Sequence, residues 1–212
     1  MKENRKLITT LASYTRLIIP ATAVLFIAGC GAQLPTKEDT VSPQDSAAAL
    51  KNTTESEILT YRQAITHLNN NKLNEAKSLL TEFIEERPAL SGPWANLGLV
   101  YIKENKLDKA TEVLDKALKL NPKLAQAHNL RGYIENKKRN FLKAEEFYKK
   151  AIELNADYSI AHYNLALLYD IYLQDVAKAV LHYKMYLKLT KYKDKKTADW
   201  LEQLSSSLNK KG

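Results

Sequence analysis

The chain has 212 residues, room for one or two domains, with 32 Lys and Arg against 24 Asp and Glu and a formal net charge of +8. Its hydrophobic content of 45% is ordinary for a globular protein, and only six Gly and six Pro, among many Ala, Leu, Lys and Glu, favour an all-α fold. A single cysteine, Cys30, excludes a framework of internal disulfides.

The amino-terminal segment, residues 1–29, has the layout of a secretory signal peptide. Residues 1–16 carry four basic residues and one acidic residue, and an uncharged stretch, LIIPATAVLFIAG, follows over 17–29. A basic segment before a short apolar segment is typical of such signals. Arg16 leaves the apolar run shorter than the roughly 20 residues of a transmembrane helix. We therefore predict a signal peptide over residues 1–29.

The end of the apolar run, Ile27-Ala28-Gly29-Cys30, resembles the lipobox of bacterial lipoproteins. The resemblance implies that the signal is removed before Cys30, that a diacylglycerol is attached to its thiol and that the new amino terminus is acylated. Two or more acyl chains hold a protein stably on a membrane. In that family an Asp directly after the cysteine favours retention in the inner membrane. Gly31 stands at that position here, so the resemblance favours an outer-membrane lipoprotein facing the periplasm. The alternative is a signal peptide without lipidation and an incidental cysteine.

Residues 30–56 are predicted to comprise the lipidated cysteine and a flexible tether. They are polar, lack a sustained apolar period and are interrupted by Pro35 and Pro43. About 25 residues of coil would hold the next domain roughly 25–30 Å from the membrane on average.

From Glu57 onward the sequence repeats at a constant step. The step relates Gly98 to Gly132, Pro88 to Pro122, and Ala110 to Ala144. A 34-residue period in helix-forming sequence resembles the tetratricopeptide repeat, TPR, which has two antiparallel helices per unit. The resemblance implies an all-α superhelix of about four repeats over 57–192 (57–90, 91–124, 125–158, 159–192), with a capping helix and tail over 193–212.

The second unit carries the full signature of the TPR family: Trp94, Leu97, Gly98, Tyr101, Ala110, Leu114, Ala117 and Pro122. Gly98 and Ala110 are expected where the two helices cross closely. The second helix of the fourth unit is out of step with the others, because Ala179 lies one position beyond the place that the step from Ala144 predicts, and we place one extra residue in the turn around 173–175. A terminal amphipathic helix over 196–208 should cover the last repeat, with Trp200 packed against it or on its rim.

No motif indicates catalysis. The sequence contains no Gly-rich phosphate loop, HExxH or GxSxG, so we expect no enzyme, no cofactor and no metal. His128 and His162 are one repeat apart, but no ligand cluster accompanies them, and structural filling is the favoured interpretation. His67 and His182 have no partner at a useful spacing.

Positive charge and tyrosines could suggest nucleic-acid binding, yet several tyrosines fall in core positions of the repeat, and export argues against it. A lysine run is more informative. It is opposed by Asp194 and consists of Lys184, Lys188, Lys191, Lys193, Lys195 and Lys196. It is either a solvated helix end or a patch for anionic lipid headgroups or an acidic partner.

In the TPR family, ligands lie against the first helices, on a concave surface. The partner-binding residues that the resemblance implies here are Tyr61, Asn96, Leu99, Lys103, Asn129, Tyr133, Tyr163, Asn164 and Leu167. Asn96 and Asn164 occupy a position where some members use Asn to hold a peptide backbone. The cationic residues that capture a C-terminal carboxylate in chaperone-binding members are not matched.

Together these features predict a membrane-anchored TPR adaptor. It would bind a protein or peptide in its concave groove and support the assembly or stability of an envelope complex in pilus, secretion or cell-wall machinery. The alternative is a wall-proximal structural spacer or a glycan-binding lipoprotein.

Overall fold

A computed structural model describes residues 54–209, with side chains through Ser207. The predicted signal peptide, Cys30 and nearly all of the tether lie outside these residues. The described range is all-helical and contains nine helices: α1 (Glu55–Asn69), α2 (Leu73–Glu86), α3 (Ser91–Lys103), α4 (Leu107–Leu120), α5 (Ala125–Lys137), α6 (Phe141–Leu154), α7 (Ser159–Leu167, continued by a π-helix over Leu168–Leu173), α8 (Val176–Leu189) and α9 (Lys195–Asn209). No helix in that range is both long and apolar enough to cross a membrane.

The helices pack as a stack of pairs. The closely packed pairs are α1 with α2, α3 with α4, α5 with α6, and α7 with α8. Each second helix also packs against the first helix of the next pair, and α9 packs against α8. The predicted all-α repeat fold is thereby confirmed for the described residues.

The turns inside the first three pairs share one backbone device. Asn71, Asn105 and Arg139, at equivalent positions of successive repeats, have left-handed φ angles of 58°, 59° and 65°. The next amide in each case donates to the carbonyl five residues earlier, as in Lys106 N–H to Tyr101 O at 2.8 Å. A left-handed residue satisfies the last carbonyls of a helix in this way and reverses the chain. Asn tolerates that conformation better than Arg does.

The fourth pair accommodates its extra residue inside the helix. Gln174 is the left-handed residue here, with φ 54°, and the Asp175 amide donates to Tyr169 O, six residues earlier, at 2.9 Å. The segment immediately before Gln174, Leu168–Leu173, is the π-helix, a form that absorbs one inserted residue. The predicted insertion is thus real, but it lies before the turn and not in it.

Small residues set the closest crossings within pairs. A Cβ placed on Gly98 would lie 2.7 Å from Leu114 Cγ, and one on Gly132 would lie 2.7 Å from Tyr148 Cδ1. Ala110 and Ala144 are fully buried on the second helices. The predicted close crossing at Gly98 is therefore confirmed.

Both ends of the stack are tied by polar contacts. Thr54 caps α1, and Arg87 donates to both Glu57 oxygens at 2.7 and 2.8 Å, which lowers the pKa of Glu57 to about 2. At the other end, the Trp200 indole donates to Asp170 at 2.7 Å. Leu201 and Leu204 of α9 are buried, as the capping helix requires.

Candidate protein-binding surface

The first helices of the four pairs carry the nine predicted binding residues. Burial divides these residues into two groups. Lys103 is exposed, and Tyr61 and Tyr133 are half-buried. The other six are buried: Asn96, Leu99, Asn129, Tyr163, Asn164 and Leu167. The predicted surface therefore offers three partly accessible side chains above a largely closed layer.

The buried amides join successive first helices. Asn96 Nδ2 donates to the Tyr61 hydroxyl at 2.7 Å, and Gln126 Nε2 donates to Asn96 Oδ1 at 2.9 Å. One repeat further, Asn164 Nδ2 donates to Asn129 Oδ1 at 3.1 Å. We call these four amide side chains with Tyr61 the amide ladder. Asn96 and Asn164, predicted to hold a peptide backbone, each have an internal partner here, and the binding role stays a prediction.

Two atoms of the ladder remain unsatisfied. Gln126 Oε1 and Asn129 Nδ2 are buried without a hydrogen-bond partner among the described residues. They are an acceptor and a donor, placed three residues apart on α5, so they lie on the same face of that helix. Leaving a buried amide atom unpaired costs about 1–3 kcal/mol. This pair is therefore a place where a ligand could contribute stability.

The tyrosines differ in what they contact. Tyr61 stacks on Phe83 of α2 with ring centroids 5.1 Å apart. Tyr163 meets Tyr183 and Tyr186 of α8 edge-on, at 6.0 and 5.0 Å, so its ring is part of the α7–α8 interface. Burial raises the pKa of the Tyr133 hydroxyl. Tyr61 and Tyr133 are consequently the aromatic residues of the predicted set that a partner could reach.

Comparison with known families identifies the stack. The profile of the family described as Tetratricopeptide repeat protein 21 C-terminal ARM domain matches residues 36–191, most of the chain. The chain belongs to this family. No curated protein sequence matches this chain.

Solved structures agree on a TPR fold. The stack resembles pilF of Pseudomonas aeruginosa, with a TM-score of 0.65 and 20% identity, covering 74% of this chain and 70% of that one. It resembles TTC0263, a TPR protein of Thermus thermophilus, at TM-score 0.61 and 24% identity, over 74% and 85% of the two chains. The first TPR of Spaghetti (RPAP3), bound to the HSP90 peptide SRMEEVD, matches at TM-score 0.51 and 18% identity, over 56% and 94%. At identities this low the likeness establishes the fold alone.

In this repeat protein the residues at the tryptophan position tie three of the first helices, α3, α5 and α7, to the preceding repeat. The Trp94 indole donates to the carbonyl oxygen of Pro88, six residues earlier, at 3.0 Å. Nε2 of His128 lies 2.8 Å from Pro122 O, and Nε2 of His162 lies 3.0 Å from Ala156 O. Because a carbonyl only accepts, both imidazoles carry a proton on Nε2. His128 and His162 thus do what Trp94 does in the second unit.

His182 has a partner that the sequence did not predict. Its Nδ1 lies 3.0 Å from Nδ1 of His162. Because the His162 proton is on Nε2, Nδ1 of His162 accepts the hydrogen bond and Nδ1–H of His182 donates it. Burial, helped by the adjacent His162, lowers the pKa of His182 to about 4. The lengthened step of the fourth unit relates His182 to Phe147, whose ring faces His128 at 6.1 Å. Counting by this longer step was the signal in the sequence that could have related His182 to His162. Among residues 54–209 no three His, Cys, Asp or Glu side chains group so as to hold a metal ion.

Proposed function

We propose that this chain is a membrane-anchored TPR adaptor. It binds a protein partner along its first helices and supports the assembly or stability of an envelope complex, such as pilus, secretion or cell-wall machinery. The anchor is the acylated Cys30, and the location is the periplasmic face of the outer membrane of a bacterial cell.

The observation that carries the binding proposal is the unsatisfied pair on α5. A peptide backbone offers one carbonyl and one N–H per residue, which match the Asn129 Nδ2 donor and the Gln126 Oε1 acceptor. Both atoms are closed off from water, so a peptide reaches them only after a local rearrangement. The energy of binding would come from the accessible aromatic rings of Tyr61 and Tyr133, since a few aromatic contacts dominate such interfaces.

A structural neighbour and the lack of cations at the carboxylate-capture positions both bear on the class of ligand. The similar TPR of RPAP3 was solved with an HSP90 peptide, which supports a peptide segment as the ligand. Here the positions that would capture a terminal carboxylate are Tyr61, Ile65, Gln126 and Leu130, none of them cationic. An internal segment with apolar anchors therefore fits better than a free C-terminus.

Site-specific photocrosslinking in cells tests the proposal. A photoreactive residue replacing Lys103, exposed on α3, should form an adduct with one defined envelope protein, identified by mass spectrometry. The matched control replaces Lys109, exposed on α4 of the same repeat. Tyr133→Ala should abolish the adduct at position 103, whereas Tyr101→Ala, which removes another half-buried tyrosine from the core rim, should not. Equal adducts at 103 and 109, or retention of the adduct in Tyr133→Ala, would refute binding along the first helices.

A further inference from the structure

The corner between α8 and α9 concentrates positive charge. Six exposed lysines surround it, and we call them with Tyr192 the lysine corner: Lys184 and Lys188 on α8, Lys191 and Lys193 in the turn, and Lys195 and Lys196 at the start of α9. Tyr192, at the centre of the turn, is 60% exposed. This arrangement combines exposed cations with an exposed amphipathic ring.

The acid nearest in sequence to the lysine corner is engaged elsewhere. Asp194 accepts hydrogen bonds from the Thr197 amide, the Thr197 hydroxyl and the Tyr186 hydroxyl, at 3.1, 2.7 and 3.1 Å. Its carboxylate therefore serves the start of α9. Within the described residues none of the six lysines lies in an ion pair, whereas earlier lysines do, for example Lys77 with Glu104 and Lys138 with Asp108.

The backbone holds the turn in a fixed shape. Lys191 and Tyr192 both have left-handed φ angles, 52° and 54°. The Tyr192 amide donates to Leu187 O at 2.8 Å, and the Lys193 amide donates to Thr190 O at 3.2 Å. Two consecutive left-handed residues other than glycine are costly. The turn nevertheless presents Tyr192 to solvent and buries no apolar side chain of its own.

We propose that the lysine corner docks on an anionic phospholipid surface. The ammonium groups would lie at headgroup phosphates, and the Tyr192 ring would lie at the interface, where Tyr is enriched. Each lysine near an anionic leaflet strengthens binding about fivefold. A helix–helix corner with spread charges complements a flat, uniformly charged surface, whereas a peptide would need a groove that fixes its backbone.

The docking goes beyond the adaptor function and gives the stack an orientation. The predicted tether of about 25 residues would span at most roughly 85 Å, a length that would allow the far end of the stack to return to the membrane that carries the anchor. The lysine corner would then hold the C-terminal repeat at the headgroups. The proposal does not depend on acylation of Cys30.

Vesicle flotation of the full-length chain tests it. The chain carries Cys30→Ala throughout, so lipidation contributes nothing, and residues 1–29 are common to every variant. Vesicles are either pure phosphatidylcholine or a mixture of phosphatidylcholine with the anionic lipid phosphatidylglycerol. Lys191→Glu, Lys193→Glu, Lys195→Glu and Lys196→Glu together should lower partitioning onto the anionic vesicles by at least about 50-fold, and salt at about 0.5 M should remove most of the difference.

The matched control reverses four exposed lysines elsewhere: Lys109, Lys119, Lys123 and Lys137. It has the same net charge as the corner variant, so it should lose only a few-fold if position matters. Equal losses in the two variants would overturn the proposal. The proposal would also be overturned if the corner reversal left vesicle partitioning unchanged while beads bearing poly-glutamate captured the chain with its native lysines and not the reversed variant. That second result would assign the corner to an acidic protein.

Discussion

Gly98 offers a direct test of the repeat packing. In Gly98→Leu, the new Cβ would lie 2.7 Å from Leu114 Cγ and 2.8 Å from Leu114 Cδ2. Leu114 is fully buried, and its Cγ is a branch point that rotation of a terminal methyl cannot move away. The inserted side chain must therefore displace α3 from α4 or force Leu114 out of its rotamer.

The expected net cost is about 2 kcal/mol, because two effects oppose each other. A side chain as large as Leu in a filled core puts the overpacking cost at the upper end of the usual range, about 3 kcal/mol, and replacing Gly in a helix returns about 0.8 kcal/mol. For a domain of this size about 1 kcal/mol corresponds to about 2–4 °C in Tm, so we expect Tm to fall by about 4–8 °C. Circular-dichroism melts and urea unfolding measure both quantities. Gly132→Leu, against Tyr148, repeats the experiment, and Lys109→Leu at an exposed helical position is the control.

A double-mutant cycle isolates the contact. Leu114→Ala alone should cost about 2–5 kcal/mol because it leaves a cavity. Gly98→Ala in that background fills part of the cavity, so the double variant should be more stable than the sum of the singles by about 1 kcal/mol or more. An unchanged Tm in Gly98→Leu, or strict additivity in the cycle, would refute the close crossing.

Four further outcomes are expected. Cys30→Ala should abolish acyl labelling and leave an uncleaved precursor, and a variant that still matures in the outer membrane would contradict the anchor. Neutral His182 is favoured in the fold, with a pKa of about 4 against about 6.5 when unfolded, so its stabilising contribution is complete above pH 6.5 and is lost as the pH falls towards 4. Urea unfolding should therefore lose roughly 2 kcal/mol of stability between pH 7 and pH 4.5 from this group, and His182→Gln should flatten that slope; an unchanged slope would refute the lowered pKa of His182. Reversal of the four lysines at 191, 193, 195 and 196 should weaken partner crosslinking at position 103 only modestly and mainly at low salt. Asn164→Ala should lower the free energy of unfolding by about 1–3 kcal/mol in urea.

Features that repeat at a fixed step were predictable from the sequence. The 34-residue period located Gly98 at a close crossing, because the family keeps a small residue in each of the two facing slots where the helix backbones approach. It also related His128 and His162 to Trp94, so their structural role could be anticipated. What the period could not supply was the identity of the acceptor, a carbonyl six residues earlier, because that depends on the backbone path between repeats.

Features that depend on a change of step were missed or misplaced. The extra residue of the fourth unit was assigned to the turn, where insertions are usually tolerated, but the chain absorbs it as the Leu168–Leu173 π-helix. The same shift moves His182 opposite His162, which counting by the regular period does not reveal. The amide ladder was missed for another reason. Its bonds join residues 30 and 35 apart across repeats, and whether two amides meet there depends on rotamers that no periodicity fixes.

The last prediction concerns a coupling between stability and binding through the amide ladder. Asn129 has one amide group, and its Oδ1 is fixed by Asn164 while its Nδ2 has no partner in the described residues. Removing the Asn164 side chain leaves Oδ1 unsatisfied and frees the amide to turn over, so the donor would no longer be held towards a ligand. Asn164→Ala should therefore reduce crosslinking at position 103 beyond what its lower stability explains. Gly132→Ala, tuned by urea to equal stability, is the reference, since it perturbs α5 at a position packed on Tyr148. Equal crosslinking in the two variants at matched stability would show that the ladder holds the repeats together and takes no part in binding.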